Sequence, residues 1–205
     1  MNAPSSIPTR QAAFDYDRTV IAFHGTREET ARRLVRGDAF DASTNDDDWL
    51  GHGIYFWEYA PQQAWWWAQR RYKGKDKPAV VGALVRLGNC LDLLDPSNVG
   101  LITWAYQDLA HQLGRAKQPV PRNANNHKYL DCAVFNWLYT LLEAGGKHLE
   151  SCRAVFVPLQ QGRGLPRMWQ RSGVFEGAHI QLCVRQPQNI LAVWLVRKDG
   201  RYGED

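Results

Sequence analysis

The amino-acid sequence predicts an α+β fold, with strands near both ends of the chain and helices between them. β-branched and aromatic residues are concentrated in short runs at residues 19–23 and 53–57, and again after residue 150. A continuous apolar run at residues 79–87 is typical of a central strand. The chain has 205 residues, enough for one core, so we expect an N-terminal arm over residues 1–18 and a single domain over residues 19–205.

Composition argues against a membrane span and a metal site. No apolar run approaches the ~20 residues that a membrane-spanning helix needs, so we expect no membrane partner. Residues 1–9 are polar and lack the apolar centre of a signal peptide, which predicts a cytoplasmic protein unless a specialised secretion route delivers it to another cell. The four cysteines form no C-x-x-C pair and the histidines no H-x-x-x-H pair, so we expect free thiols and no metal.

The first strand, at residues 19–23, leads directly into a helix. Thr26 and Glu29 have the spacing of a capping box, and Gly37 is a suitable C-terminal stop. His24 and Gly25 therefore lie where a strand turns into a helix, an edge at which ligands often bind.

The second strand, at residues 53–57, follows a polar loop that contains three consecutive aspartates. Adjacent carboxylates in a loop rarely converge on one ion, so we interpret residues 45–48 as a flexible lid. Pro61 suits the first turn of a helix that runs to about residue 72 and carries three tryptophans. Residues 73–78 end this helix before the central strand.

The second half of the chain begins with two helices, which we interpret as an insertion over residues 97–149. Strands follow at residues 153–157, 179–185 and 189–197, with a long loop at residues 158–178. Alternation along the second of these strands places His179, Gln181 and Cys183 on one face.

Taken alone, each residue of the first half has a structural explanation. His24 could bond a backbone group, Tyr55 could belong to the core, and the tryptophans could pack a helix on the sheet. Together they favour a slot with backbone amides at Gly25 and flat rings on both sides. Such a slot suits a planar aromatic amide.

Three stretches resemble the nicotinamide-binding core of the ADP-ribosyltransferases of the His-Tyr-Glu class, which includes diphtheria toxin and the poly(ADP-ribose) polymerases. They are His24-Gly25-Thr26-Arg27, Gly51-His52-Gly53-Ile54-Tyr55-Phe56 and Ala64-Trp65-Trp66. The resemblance implies a split antiparallel sheet with flanking helices, and a catalytic domain that uses NAD as co-substrate.

The resemblance also implies roles for individual residues. His24 would bond a ribose hydroxyl of NAD, and Gly25 the carboxamide through its backbone. Tyr55 would stack on the nicotinamide, and Trp66, eleven positions later, would cover its other face. The complete set of cofactor-binding residues expected from the matching motifs is His24, Gly25, Thr26, Arg27, Gly53, Tyr55, Phe56, Ala64 and Trp66.

The sequence departs from the family pattern at the catalytic glutamate, where Gln181 stands. A glutamine can bond the ribose but brings neither charge nor basicity. Glu176 could swing in with a carboxylate, the substrate could bring the charge as a phosphate, or turnover could be weak or lost. We therefore consider His24, Tyr55, Gln181 and Glu176 as catalytic candidates.

The loop before that strand mixes cations with aromatic residues, which suits phosphate contacts and base stacking on a nucleic acid. The candidate substrate residues are Arg163, Arg167, Trp169, Arg171 and Phe175. An ordinary solvated loop is the alternative. The basic run from Arg70 to Lys77 could extend such a surface or be a solvated helix end.

Three functions remain open at this point. The leading one is a mono-ADP-ribosyltransferase acting on a protein or nucleic acid, in the context of a bacterial toxin or defence protein with an antitoxin or immunity partner. The second is a module that binds NAD or ADP-ribose with little or no turnover. The third is a tRNA 2′-phosphotransferase-like enzyme, which has a related fold and a similar His-Gly-Thr element.

Overall fold

The computed structural model describes residues 15–124, 127–158 and 166–198. Residues 1–14 of the predicted arm and the candidate Arg163 lie outside these ranges. The strands are β1 (Asp15–Arg27), β2 (Ile54–Glu58), β3 (Pro78–Asp92), β4 (Ser151–Phe156), β5 (His179–Val184) and β6 (Ile190–Val196). The helices are α1 (Glu28–Val35), α2 (Pro61–Arg71), α3 (Pro96–Arg115) and α4 (Tyr129–Ala144), with a 3-10 turn at Pro187–Asn189.

The six strands form one mixed sheet in which the pairings close on themselves. β3 pairs with β1, β1 with β2, β2 with β5, β5 with β4, and β4 again with β3. β6 lies on β3 beside this ring. The predicted α+β class is confirmed at this level.

The sheet is mixed and not antiparallel throughout, because β3 and β4 run parallel at Cys90–Ser151, Leu91–Cys152 and Asp92–Arg153. A parallel pair needs a crossover connection. α3 and α4 provide it, so the predicted insertion is the link that brings the chain back alongside β3.

The core is divided between the inside of the strand ring and its helix-covered faces. Ile54, Phe56 and Leu182 are buried in the inner cluster. α3 and α4 pack on the other face of β4 and β5, where Leu138 contacts the cluster that contains Cys152 and Cys183. α2 covers Phe23, Trp57 and Val80, and α1 covers Ala79 and Val81. In the part of the chain that the structure describes, no helix is both long and apolar enough to cross a bilayer.

Two local expectations for the first strand and helix are corrected. β1 begins at Asp15 rather than at residue 19, because its pairing with β3 extends to Asp15–Asn89. The capping box at Thr26 is wrong: Arg27 is the N-cap of α1 and makes no side-chain cap bond. Thr26 still pairs with Ala79 and is buried, so its backbone stays in the sheet.

Candidate functional site

The candidate site is the gap at which β1 and β2 separate, which we call the cleft. The two strands pair through Ala22–Glu58 and Phe23–Trp57, and the register ends there although β1 continues to Arg27. His24, the next residue, spans the gap: its Nδ1 lies 2.8 Å from the Tyr55 carbonyl oxygen. A carbonyl only accepts, so Nδ1 carries the proton and donates.

The His24 ring is held by aromatic neighbours and stays neutral. Its centroid lies 5.4 Å from that of Phe40 and 5.5 Å from that of Phe56. Burial lowers the pKa of His24 below its ordinary value, and the bond to the Tyr55 carbonyl offsets this only in part. Among the described residues, Nε2 has no hydrogen-bond partner, so it can accept a bond from a ligand hydroxyl.

Gly25 lies directly against α2. A Cβ at this position would stand 2.5 Å from the Ala64 carbonyl oxygen and 3.1 Å from a ring carbon of Trp67. Ala64 and Ala68 are buried on the same side of the helix. The glycine is therefore required for the close approach of α2, whatever its backbone also offers a ligand.

Tyr55 fixes the segment that precedes β2. Its hydroxyl accepts from the Leu50 amide at 2.9 Å and donates to the Gly51 carbonyl at 2.8 Å. Burial raises the pKa of this phenol far above its ordinary range. Gly53 also has a packing role, because a Cβ there would stand 2.5 Å from the Cys183 sulfur.

The aromatic residue of α2 that faces Gly25 is Trp67, not Trp66. The Trp67 ring lies 5.8 Å from that of Trp57. Trp66 is 51% exposed, and within the described residues its ring has no aromatic partner. Trp57 and Trp67 were not among the predicted site residues, although strand alternation places Trp57 on the same face as Tyr55.

Three other predicted cofactor-binding residues pack in the core or bond to neighbouring side chains. Thr26 is buried at the end of β1, and Phe56 is fully buried inside the strand ring. Arg27 donates to the Thr30 hydroxyl at 3.1 Å and lies 3.8 Å from Asp76.

Gln181 belongs to a chain of hydrogen bonds in which every donor and acceptor is defined. We call this chain the β5 relay (Trp49, Gln181, His179 and Gly177). The Trp49 indole N–H donates to Gln181 Oε1 at 2.6 Å. The Gln181 amide nitrogen lies 3.1 Å from His179 Nε2, and His179 Nδ1 lies 2.6 Å from the Gly177 carbonyl oxygen. The indole can only donate and the carbonyl can only accept, so every proton position in the relay follows.

Trp49 covers this end of β5 from the loop that we interpreted as a lid. Its ring lies 5.2 Å from Phe156, and the Phe156 ring lies 5.4 Å from that of His179. The loop itself is anchored, since Asp47 contacts His127 at 2.6 Å. Sequence reasoning selected Gln181 but missed Trp49, which is 132 positions away.

The other candidates lie in the hairpin-like segment at residues 166–178. Glu176 is exposed, and its carboxylate has no bonding partner in the described ranges. Arg167 lies 4.9 Å over the Phe175 ring and donates to the Ser172 carbonyl. Trp169 is 65% exposed. Arg171 adopts a positive φ of 62°.

A second polar cluster lies inside the strand ring. Arg153 contacts Glu58 at 3.0 Å and Asp92 at 3.4 Å, and all three side chains are buried. Burial raises the pKa of Glu58, although Arg153 opposes that shift. We interpret the cluster as a structural ion-pair group. No group of three metal-ligating side chains occurs in the described ranges.

The comparisons with known proteins give no relative for this chain. No protein-family model matches it. No curated protein and no solved structure matches it either.

Proposed function

We propose that the protein is a mono-ADP-ribosyltransferase that binds NAD in the cleft between β1 and β2. The observation that carries the proposal is the separation of these strands at His24, whose Nε2 is left without a described partner. Two further features support it: the flat ring of Trp67 lies beside Gly25 with Trp57 packed against it, and Gln181 lies opposite Trp57 on β5.

The residues of the cleft fit the groups that NAD would present. His24 Nε2 accepts a hydrogen bond from a ribose hydroxyl, while Nδ1 stays fixed on the Tyr55 carbonyl. The partly exposed rings of Tyr55 and Trp67 provide apolar surface for the nicotinamide, and the buried Trp57 supports Trp67. In the reaction, the bond between nicotinamide and ribose breaks and its electron pair leaves with the nicotinamide. The acceptor's nucleophile then bonds to the ribose carbon and releases its proton to a base or to water.

The site lacks a fixed negative charge next to the ribose. A carboxylate near a developing oxocarbenium ion supplies electrostatic stabilisation, which a neutral amide lacks. Gln181 makes one bond through its oxygen and one through its nitrogen, which leaves one lone pair and one N–H for the ribose but no charge. The negative charge comes either from Glu176, which is exposed and not engaged by a described residue, or from a phosphate of the acceptor.

The test is release of nicotinamide from NAD by the purified protein, with and without a cell extract. His24→Asn is the decisive variant, because the shorter amide retains a donor near the Tyr55 carbonyl but removes Nε2. His111→Asn, at an exposed position of α3, is the matched control. Release that needs extract and is lost only in His24→Asn supports the proposal. Equal release by both variants, or no binding of NAD, contradicts it.

A module that binds NAD without turnover is the second candidate. The β5 relay favours it, because bonds to Trp49 and His179 hold Gln181 in place and the amide brings no charge to the ribose. Calorimetry distinguishes the two functions. Binding of NAD that depends on His24, without nicotinamide release in any extract, identifies the binding module.

A further inference from the structure

α2 carries tryptophan rings followed by cations, all exposed to solvent. Trp66 lies at the outer side of the helix, whereas Trp67 contacts Gly25 at the edge of the inner side and is still partly exposed. Trp66 and Trp67 are 51% and 40% exposed. Arg70 and Arg71 follow them at a spacing of four residues, so each ring lies one helical turn from a guanidinium on the same side. Tyr59, two positions before the helix, is 64% exposed.

The cations of this surface have no carboxylate partners. Arg70, Arg71, Lys73 and Lys75 are all exposed, and none forms an ion pair with a described residue. The neighbouring cations differ: Lys77 lies 3.5 Å from Glu28, and Arg27 lies 3.8 Å from Asp76. We call Tyr59, Trp66, Trp67, Arg70, Arg71, Lys73 and Lys75 the α2 surface.

We propose that the α2 surface binds single-stranded nucleic acid. Repeated phosphates complement the four cations, and unpaired bases stack on exposed tryptophan rings. A duplex fits less well because its bases are already stacked within the helix. An acidic protein segment would satisfy the cations but would leave the rings exposed.

An anionic membrane also combines negative charge with apolar surface, but it suits this helix less well. A helix that lies in a membrane interface presents a continuous apolar face with cations at its edges. The exposed Gln62 lies one turn before Trp66 and Arg70 one turn after it, so α2 has no continuous apolar outer face. Rings next to cations match the bases and phosphates of a single strand instead.

The position of the α2 surface connects it with the cleft. The inner side of the same helix touches Gly25 through the Ala64 carbonyl. A helix with its side chains is about 10 Å across, so a strand bound outside α2 lies roughly one helix width from His24. This step rests on the proposed function: it makes a single-stranded nucleic acid the acceptor, and a phosphate of that acceptor can bring the charge that Gln181 lacks.

The experiment measures binding of fluorescent oligo-dT and oligo-U by anisotropy, without NAD, over a series of salt concentrations. Arg70→Gln with Arg71→Gln should weaken binding at low salt and reduce the slope of log K against log salt by about 1.4, at about 0.7 per phosphate contact on a single strand. Trp66→Ala should weaken binding roughly 5- to 100-fold through lost base stacking.

Two controls make the test specific. Arg36→Gln with Arg115→Gln removes the same charge from exposed positions on α1's end and α3, and should leave the slope within about 0.3 of wild type. Tyr106→Ala removes an exposed ring of α3 to which no role is assigned, and should leave affinity within about twofold.

The inference is overturned if the control variants weaken binding as much as the α2 variants. It is also overturned if Trp169→Ala alone abolishes binding, or if phosphatidylserine vesicles bind through Arg70 and Arg71 while oligonucleotides do not. Because the assay contains no NAD, failure of nicotinamide release would count against the transferase alone. Oligonucleotide binding through α2 would still stand.

Discussion

His24 on β1 and His179 on β5 make the same backbone hydrogen bond, but they differ in whether the second ring nitrogen is already bonded. Each donates from Nδ1 to a backbone carbonyl, of Tyr55 and Gly177 respectively. Burial lowers the pKa of both rings. Yet His179 Nε2 accepts from Gln181, whereas His24 Nε2 has no described partner.

The difference comes from the side chains around the two rings, because the backbone positions are alike. Each histidine lies one residue beyond the last pair of its strand with β2, and each is still paired on the other side, His24 with Val81 and His179 with Phe156. Gln181, two positions along the same face of β5, reaches His179 Nε2, whereas the aromatic rings beside His24 offer no polar group. A polar neighbour commits the nitrogen of His179 to the fold, and apolar neighbours leave that of His24 for a ligand.

The largest expected effect is the contrast between His24→Asn and His179→Asn. We expect the first to reduce NAD affinity and nicotinamide release at least about tenfold, the equivalent of one ligand hydrogen bond. We expect the second to leave NAD affinity within about twofold but to reduce the free energy of unfolding by about 1–3 kcal/mol, because it leaves the Gln181 amide unsatisfied. Calorimetry and urea unfolding measure the two quantities.

If both variants lose NAD affinity equally, the contrast is wrong and His179 also reaches the ligand. If neither does, the cleft between β1 and β2 is not the NAD site.

The next effect tests the β5 relay from its other end. Trp49→Phe keeps the ring against Phe156 but removes the indole donor to Gln181, so we expect a loss of about 1–2 kcal/mol in unfolding free energy. Gln181→Leu removes the acceptor of that bond and also the donor to His179, so the double variant should lose less stability than the sum of the two single losses. Urea unfolding of the four proteins in this cycle gives the coupling. Independent, additive losses would show that Trp49 does not hold Gln181.

The pH dependence of stability sharpens the comparison further. Both histidines have lowered folded pKa values, so their contribution is fully present above the unfolded value of about 6.5 and is lost as the pH falls below it. Below that pH, the free energy of unfolding falls by at most about 1.4 kcal/mol per pH unit for each histidine. Each His→Asn variant should lose less stability at low pH than the wild type. The measurement is the difference between their unfolding free energies in urea at each pH, in which the contributions of Asp48 and Glu58 cancel.

Gln181→Glu should reverse the pH dependence of the contribution that His179 makes to stability, and leave that of His24 unchanged. A carboxylate beside Nε2 favours the imidazolium, so the folded pKa of His179 rises and its contribution is then lost as the pH increases through that pKa. NMR titration of the two rings measures this directly. An unchanged His179 titration would contradict the geometry of the relay.

The smallest expected effect is at Glu176. Its carboxylate is exposed without a described partner, so Glu176→Gln should change the unfolding free energy by no more than about 0.5 kcal/mol. Nicotinamide release is the informative measurement. A loss of activity without a loss of stability would show that this carboxylate reaches the ribose.

Much of the fold could be predicted because periodicity is local. The strand at residues 79–87 and the helix from Pro61 both appear in the structure, as does the common face of His179, Gln181 and Cys183. The parallel pairing of β3 with β4 could not be predicted, because strand direction depends on how α3 and α4 connect them. The failed capping box at Thr26 has a similar cause, since pairing with Ala79 overrides the local signal.

The candidate site was predicted less completely than the fold. His24 and Gly25 were selected from a predicted strand end, but β1 continues to Arg27, so they lie within the strand, just beyond its last pair with β2. The spacing that selected Trp66 could not show which side of α2 meets Gly25, because Trp66 and Trp67 differ by only one position. Gln181 was selected without Trp49, since no local pattern connects residues so distant in sequence.

The closed ring of strands also has a consequence for synthesis on the ribosome. β2 ends at Glu58, but β5, its partner along the full length of the strand, ends at Val184. At ribosomal rates of about 5–20 residues per second, the outer edge of β2 waits on the order of ten seconds for its partner. The nascent chain therefore exposes an unpaired, aromatic strand edge during that interval, which is the condition in which chaperones and aggregation compete.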